Sequence, residues 1–360
     1  MQRALVILTV ILLVVVSLAI GVVSAHWPFW HRAWQWQSAD NGWPAELPGA
    51  TRVLHGTGDA LPLQFRDDAS LAAVAATART QALLVAGADG EVGAWFAPGM
   101  SSSAAVDGRG LTALVLTPLF AQLGREHAGL LDKPIGAFLP QWRTDSRGGI
   151  TSRQLFWQLS GMPAKPFTPL NPFNGRAQLA AGPDFSRAAL GWKTNWPPGS
   201  HFEESPVNAQ LLAMVVARAG ESTLVAEMER LWSQFAADDA RVLLDHRGGE
   251  AAVHCCMRAS LADWIRLGLL IAGDGRGYKV ALWEPGYLEQ AAVPSPVHEG
   301  YGLGFGLQPL PEGHKLLTAT SPGRHLLLIP HTGMALLWVG EGAAPAGLVS
   351  LLSTHSAGGL

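Results

Sequence analysis

The sequence has little lysine, tyrosine or cysteine, and each shortage limits the catalytic or structural roles that these side chains could have in the protein. Lysine accounts for five of the 25 basic residues, and the 360 residues include only three tyrosines and two cysteines. The net charge is −3 and no Lys/Arg-rich run occurs, which argues against nucleic acid as a partner. The sequence contains neither Gly-x-Ser-x-Gly nor His-Glu-x-x-His. A nucleophile elbow and that zinc motif are therefore excluded.

The two cysteines, Cys255 and Cys256, are adjacent. Neighbouring cysteines rarely bridge each other because the bond geometry is restrictive, so we expect two buried thiols and no disulfide framework. His254 alone does not supply the local ligand set that a metal requires. The sequence therefore predicts neither a metal nor a cofactor.

The N-terminus carries the longest apolar run of the chain, Ala4–Ala25, which follows Arg3. About 20 apolar residues span a bilayer, so residues 1–25 are predicted to be a transmembrane anchor. A signal peptide ending at the small residues Val23, Ser24 and Ala25 is the alternative. The aromatic residues that follow resemble an interfacial belt and favour the uncleaved anchor; they are Trp27, Phe29, Trp30, Trp34 and Trp36. We expect a single pass through the cytoplasmic membrane, with the rest of the chain exported to the periplasm or the extracellular side.

The remaining pattern predicts an α+β domain over residues 51–356, after a juxtamembrane linker at 26–50. Asp89-Gly90 is a hairpin signal between two short apolar runs. A helical region at about 111–275 separates these strands from further strands near the C-terminus. The predicted strands are Gln81–Ala86, Glu91–Phe96, Gly302–Gln308, Lys315–Ala319, His325–Ile329 and Met334–Val339. The predicted helices are 111–123, Gln210–Ala219, Leu224–Phe235, Leu261–Ala272 and Ala346–Leu352. One antiparallel sheet built from both chain ends and flanked by helices follows from this order.

Several stretches in sequence order resemble one enzyme family. They are Leu131–Pro134 with Phe138–Pro140, Ile150–Met162, Pro198–Phe202 with Asn208–Leu212, Leu261–Gly268 and Tyr301–Gly304. Together they are similar to the penicillin-recognising serine hydrolase superfamily, in the branch of class C β-lactamases and 6-aminohexanoate-dimer hydrolases. The resemblance implies a β-lactamase/transpeptidase-like fold. It also implies a Ser-x-x-Lys motif at the start of the first long helix, a Tyr-x-Asn motif, and a Lys/His-x-Gly strand lining the cleft.

The first of these motifs is missing, because none of the five lysines has a serine three residues before it. The family pattern also places a threonine three residues after its lysine, and Thr112 fits that position. This register puts Arg109 at the lysine and Val106 at the serine. Valine cannot attack a carbonyl, and arginine stays protonated and cannot act as a base.

The other two motifs are altered as well. Registering Phe202 and Asn208 on the family stretch puts Glu204 at the tyrosine and Pro206 at the asparagine. The third motif falls on Thr318-Ala319-Thr320, because the stretch after Pro322 resembles the strand that follows it. His331-Thr332-Gly333 matches the third motif by composition, but we interpret it as a hairpin turn.

These losses predict a membrane-anchored, β-lactamase-related pseudoenzyme that acts in binding or scaffolding, with a peptide or cell-wall fragment in its cleft. A protein partner is not identified. We further expect Arg109 and Glu204, which have opposite charges at neighbouring family positions, to form an ion pair that plugs the cleft. The alternative is an active serine hydrolase, of the amide, ester or β-lactam type, that uses a displaced serine. Ser103 is its candidate nucleophile and His331 its candidate base.

Overall fold

The computed structural model describes residues 2–38, 51–58, 60–168, 170–276 and 281–358. Its α-helices are α1 Gln2–Ala25, α2 Trp27–Ser38, α3 Ala69–Ala75, α4 Leu116–Glu126, α5 Ser152–Phe156, α6 Gly175–Ala181, α7 Phe185–Leu190, α8 Pro206–Ala219, α9 Leu224–Phe235, α10 Leu261–Ala272, α11 Tyr287–Ala291 and α12 Leu348–Gly358. Its strands are β1 Thr51–Leu54, β2 Gln64–Asp67, β3 Arg79–Ala86, β4 Glu91–Phe96, β5 Ala105–Asp107, β6 Ala240–Leu243, β7 Met257–Ser260, β8 Gly306–Pro309, β9 Lys315–Ser321, β10 Arg324–Ile329 and β11 Met334–Glu341. Short 3₁₀ helices cover Arg109–Val115, Ile135–Ala137, Pro140–Trp142, Ser146–Gly149 and Pro311–Gly313.

A seven-stranded sheet joins the two ends of the domain, in the order β2-β4-β3-β11-β10-β9-β8. Every neighbouring pair is antiparallel except β2 with β4. The central contact is between β3, from the N-terminal part, and β11, from the C-terminal part. The α+β fold with a sheet built from both chain ends is therefore confirmed.

Side chains alternate between the two faces of this sheet, as the pleat of a strand requires. On β3, Leu84 packs into the core shared with α10, whereas Leu83 packs towards α3 and α12. Helix α10 approaches its face closely at Gly268, where a Cβ atom would lie 3.0 Å from the Leu326 side chain. A larger residue there would push the helix away from the sheet.

A second sheet, of order β1-β6-β7-β5, was not predicted. Its strands are three or four residues long, and two of them lie inside the region predicted to be helical or irregular. Such short strands carry too little period-2 signal to be recognised in the sequence. This sheet positions the site, because β5 leads directly into the helix that borders the cavity described below.

Two segments differ from the sequence-based expectation near the ends of the chain. Residues 27–38, predicted to be part of a linker, form α2, whose Phe29 and Ala33 pack against α6. The Arg32 guanidinium, buried in the same interface, donates to the backbone carbonyls of Leu244 and Asp245. Residues 39–50 of the predicted linker lie outside the described residues. The closing helix begins at Leu348 and extends to Gly358.

Helix α1 is long and apolar enough to cross a membrane. Its span Leu5–Ala25 has a mean hydropathy of 3.2, and the most apolar part of this span makes no buried contact with the rest of the protein. The backbone N–H of Trp30 donates to the carbonyl of His26, and that of His26 to the carbonyl of Val22. Helices α1 and α2 therefore follow each other with almost no break.

Candidate functional site

A cavity of about 330 Å³ lies where the first long helical segment, the start of α8 and strand β9 meet. The segment begins as the 3₁₀ helix Arg109–Val115 and continues as α4, so the helix predicted at 111–123 starts with a tighter turn. Pro206 opens α8 at its first turn, a position that suits proline because no intrahelical N–H is lost. The cavity is of a size usual for small-molecule sites.

Four of the predicted site residues line this cavity. Glu204 and Pro206 contribute from the start of α8, and Thr318 and Thr320 from β9. Glu204 is exposed, and within the described part of the chain it is the one carboxylate in a lining that has no lysine or arginine; His254 and Tyr301 also line the cavity. The cavity therefore combines hydroxyl and amide groups with one negative charge at its opening.

The structure does not bring Val106 and Arg109 to the cavity. Val106 lies in β5 opposite Ala259 of β7, and its side chain is buried in the main core. Arg109 has a left-handed backbone (φ 50°), and its guanidinium donates to the carbonyl of Pro322. The predicted ion pair between Arg109 and Glu204 is not formed among the described residues, because Arg109 binds the β9–β10 turn instead.

The residues that the helix start presents to the cavity include Gly110 and Ala113, which are three positions apart. Sequence reasoning missed both. The turn signal Asp107-Gly108 could have located them, because the Asp107 carboxylate accepts the N–H of Arg109 and so starts the helix there. The Gly110 N–H is itself bound by the hydroxyl of Ser321, at 3.1 Å. A donor at the helix start, of the kind that stabilises an oxyanion, is thus already occupied.

A polar network fixes the opposite wall of the cavity. The side-chain carbonyl of Gln158 accepts the backbone N–H of Ser205 and the amide of Asn208, at 3.1 and 2.6 Å. The Ser205 hydroxyl donates to the carbonyl of Pro163. Burial, and then the charge of Glu204, raise the pKa of Tyr301, which also hydrogen-bonds Gln158. The Tyr301 phenol therefore stays protonated at neutral pH.

Ser103 and His331 do not come together. The chain next to Ser103 meets the first turn of α10, where the carbonyl of Ser102 accepts the N–H of Ala262. His331 lies in the turn between β10 and β11, beside Gly273 at the other end of α10. The 12 residues of α10 extend over roughly 18 Å. The structure therefore contains no Ser103–His331 pair.

Cys255 and Cys256 form a disulfide, so the prediction of two free thiols was wrong. The rule that neighbouring cysteines rarely bridge is statistical, and it does not exclude a bridge in an individual pair. The carbonyl of Cys255 accepts the hydroxyl of the buried Thr112. The bridge therefore lies directly behind the helical segment that borders the cavity.

His254 stands in the cavity wall beside this disulfide. Its Nδ1 lies 3.1 Å from the side-chain carbonyl of Gln210, and the ring of Phe185 packs edge-on to its own. Burial lowers the pKa of His254 to about 4. The imidazole is therefore neutral at pH 7, and it belongs to no group of three or more metal-ligating side chains among the described residues.

This lowered pKa predicts that the protein loses stability in acid. Between pH 6.5 and about 4, the unfolded chain binds a proton at position 254 that the folded chain does not, so stability falls as the pH falls. We expect His254 to contribute a loss of at most roughly 3 kcal/mol across this window. Urea unfolding at pH 7 and pH 4 measures it. The variant His254→Gln should lose less stability between the two pH values than the wild type, and an equal loss would contradict the assignment.

Comparison with known proteins identifies the fold. No family model and no curated protein matches the sequence. Solved structures do match. A protein from Bacillus anthracis, provisionally named a 6-aminohexanoate-dimer hydrolase, aligns with a TM-score of 0.68 at 16% identity, over 85% of this chain and 89% of that one. A β-lactamase/D-alanine carboxypeptidase from Pseudomonas syringae aligns at 0.60 and 14%, over 80% and 96%. A D-alanine carboxypeptidase from Burkholderia cenocepacia aligns at 0.55 and 15%, over 81% and 97%. Identities this low establish a common fold and leave activity open.

Proposed function

We propose that this chain, which has the fold of the penicillin-recognising serine hydrolases, is a membrane-anchored protein that binds a peptide-like ligand without hydrolysing it. One observation carries the proposal. The cavity remains, yet the helix start presents to it Gly110 and Ala113, which have the three-residue spacing of the superfamily's serine and lysine. Neither side chain can attack a carbonyl or accept a proton.

The rest of the lining supports the same conclusion. Ser205 is the one serine that lines the cavity among the described residues, and its hydroxyl is directed to the carbonyl of Pro163 rather than to a base. Glu204 and Pro206, which the sequence register assigns to the family's tyrosine and asparagine positions, both line the cavity. A nucleophile needs an adjacent base to act at neutral pH, and among the described residues no serine or threonine hydroxyl of the lining is hydrogen-bonded to His254 or Glu204.

The N-terminal helix supports placement at a membrane. Helix α1 has the length and composition of a single span, with Arg3 on its N-terminal side, which favours an inside N-terminus. The Cys255–Cys256 disulfide favours an oxidising compartment for the domain, since such bonds persist outside the reducing cytoplasm. We therefore assign the domain to the outer side of the cytoplasmic membrane.

Charge narrows the ligand class. Among the described residues, neither lysine nor arginine lines the cavity, so a ligand carboxylate would find no cationic partner among them. The exposed Glu204 instead suits a ligand with an ammonium group, and the hydroxyls of Thr318 and Thr320 suit its amides. A peptide or cell-wall fragment with a free amine combines both features.

Calorimetric titration of the full chain in detergent tests this assignment. The probes are a lysine-containing stem peptide, amidated at its C-terminus, and the same peptide with its lysine acetylated. We expect the free amine to bind at least about tenfold more tightly, as the loss of one charge-assisted hydrogen bond implies. Glu204→Gln should remove that preference, whereas Glu126→Gln, on the exposed end of α4, should keep it. Equal binding of both peptides by the wild type would contradict the role of Glu204.

A further inference from the structure

A second cavity, of about 460 Å³, lies beside the first. Its walls come from Ala33 of α2, from α6, and from Phe167 in the loop before α6. Pro206 and His254 belong to the walls of both cavities. Most of the lining is apolar, so this space is suited to an aliphatic ligand rather than to a polar one.

The loop before α6 places this second cavity where the chain leaves the predicted anchor. The ring of Phe173 packs edge-on to the ring of His26, with 5.1 Å between the centroids. His26 directly follows Ala25, the last residue of α1. On the same loop, Phe167, Leu170 and Phe173 are 50%, 50% and 73% exposed. Three large apolar side chains exposed together mark a contact surface, and their position at the end of α1 indicates a bilayer.

Positive charge lies in the wall of the second cavity, at Arg176, and next to that residue. Arg176 contributes to its lining and donates to the carbonyl of Lys165. The Lys165 ammonium lies near Gly175, 3.2 Å from where a Cβ would stand, and over the ring of Trp192. Burial, and then the charge of Lys193, lower the pKa of Lys165. No ion pair with a carboxylate neutralises these three cations in the part of the chain that the structure describes.

From these observations we infer that the second cavity binds an acyl chain of an anionic phospholipid drawn from the bilayer, with Lys165 and Arg176 holding the phosphate. The apolar walls receive the chain, the exposed loop contacts the lipid surface, and the cations match the headgroup. Because the two cavities share Pro206 and His254, the bound lipid lies beside the peptide cleft. The inference rests on the membrane placement proposed above.

Photo-crosslinking tests the inference on the full chain. The protein is reconstituted in phosphatidylcholine vesicles that contain phosphatidylglycerol with a diazirine in one acyl chain. After irradiation, the labelled peptides are mapped by mass spectrometry. We expect label on residues 163–181 and on the peptide containing His254, in addition to α1. The same diazirine on phosphatidylcholine should label the cavity peptides less, because it has no net charge.

Two variants and a control make the result specific. Ala180→Trp fills the cavity, so label on its peptides should fall about tenfold, the loss expected when roughly two methylene groups can no longer be buried. Ala217→Trp is the control, since Ala217 is also a half-buried helical alanine but lies 11 positions beyond Pro206 on α8. Arg176→Gln should remove the preference for phosphatidylglycerol.

The two ways in which the inference can fail are distinguishable. Label on α1 without label on the cavity peptides would overturn the lipid site and leave the membrane placement intact. Absence of label from α1 as well would overturn the membrane placement and the lipid site together. Equal cavity labelling in Ala180→Trp and the wild type would also overturn the site, because a filled cavity cannot hold the chain.

Discussion

Asp263→Ala is expected to lower the free energy of unfolding by about 3–5 kcal/mol, as the loss of one partner from a buried charge pair does. The Asp263 carboxylate is fully buried and accepts the backbone N–H groups of Ala237 and Asp238, each at 2.9 Å. It also accepts the Ser260 hydroxyl, and Arg266 binds it at 2.7 Å. Removing it leaves two backbone donors without partners and deprives the buried Arg266 guanidinium of its counter-charge.

Urea unfolding of the full chain in detergent, followed by tryptophan fluorescence, measures this loss. Asp239→Ala is the matched control, because Asp239 is exposed and its carboxylate binds His55 and the backbone N–H of Gly56 at the surface. The control should cost less than about 1 kcal/mol, as exposed ion pairs do. A loss of similar size in both variants would contradict the role given to Asp263.

The same residue shows how far the sequence could predict the fold. The stretch Leu261–Gly268 was matched to the family on its Asp, Arg and Gly positions, and each of these has a physical task in the structure. Asp263 binds the backbone at the end of α9, Arg266 binds Asp263 and the carbonyl of Leu61, and Gly268 lets α10 approach the sheet. Such tasks restrict residue type strongly, so the β-lactamase-like fold could be predicted and is confirmed.

The site was harder to predict, because neither the serine nor the lysine of the first motif is present to fix its position in the sequence. Thr112 was used to set the register, and the threonine is indeed buried, but it binds the carbonyl of Cys255 and the N–H of Met257. Its hydroxyl therefore supports the start of β7. Glu204, Pro206, Thr318 and Thr320 were located from longer stretches around them, and all four line one cavity.

Contacts between distant parts of the chain account for what the sequence could not show. The binding of Arg109 to Pro322 depends on the β9–β10 turn, more than 200 positions away. The docking of α2 depends on Arg32 reaching the carbonyl of Leu244. Neither of these contacts can be recognised from the sequence around Arg109 or Arg32. The structure therefore corrects two expectations: the ion pair of Arg109 with Glu204, and a linker at residues 27–38.

Introducing a serine and a lysine by substitution tests which positions of the chain face the cleft. We expect Gly110→Ser with Ala113→Lys to gain acylation by a fluorophosphonate, at a rate at least about 100-fold above that of the wild type, since a positioned base contributes that much. A Cβ at Gly110 would lie 3.1 Å from both the Cβ and the Oγ of Ser321, so the neighbouring chain must move by a few tenths of an ångström to accept it. Val106→Ser with Arg109→Lys is the matched control. It should stay unreactive, because position 106 is buried in β5. Acylation of the control alone would return the motif to 106 and 109.

A measurement on the wild-type protein tests the central claim, which is that the cleft binds its ligand without hydrolysing it. Intact mass is measured before and after the full chain is incubated with the fluorophosphonate and, separately, with a fluorescent penicillin. The proposed function predicts no covalent adduct from either reagent, with the Gly110→Ser/Ala113→Lys variant showing that the fluorophosphonate reaches the cleft. An adduct on the wild type, mapped by peptide mass to a single serine such as Ser103, would contradict it and establish a serine hydrolase with a displaced nucleophile.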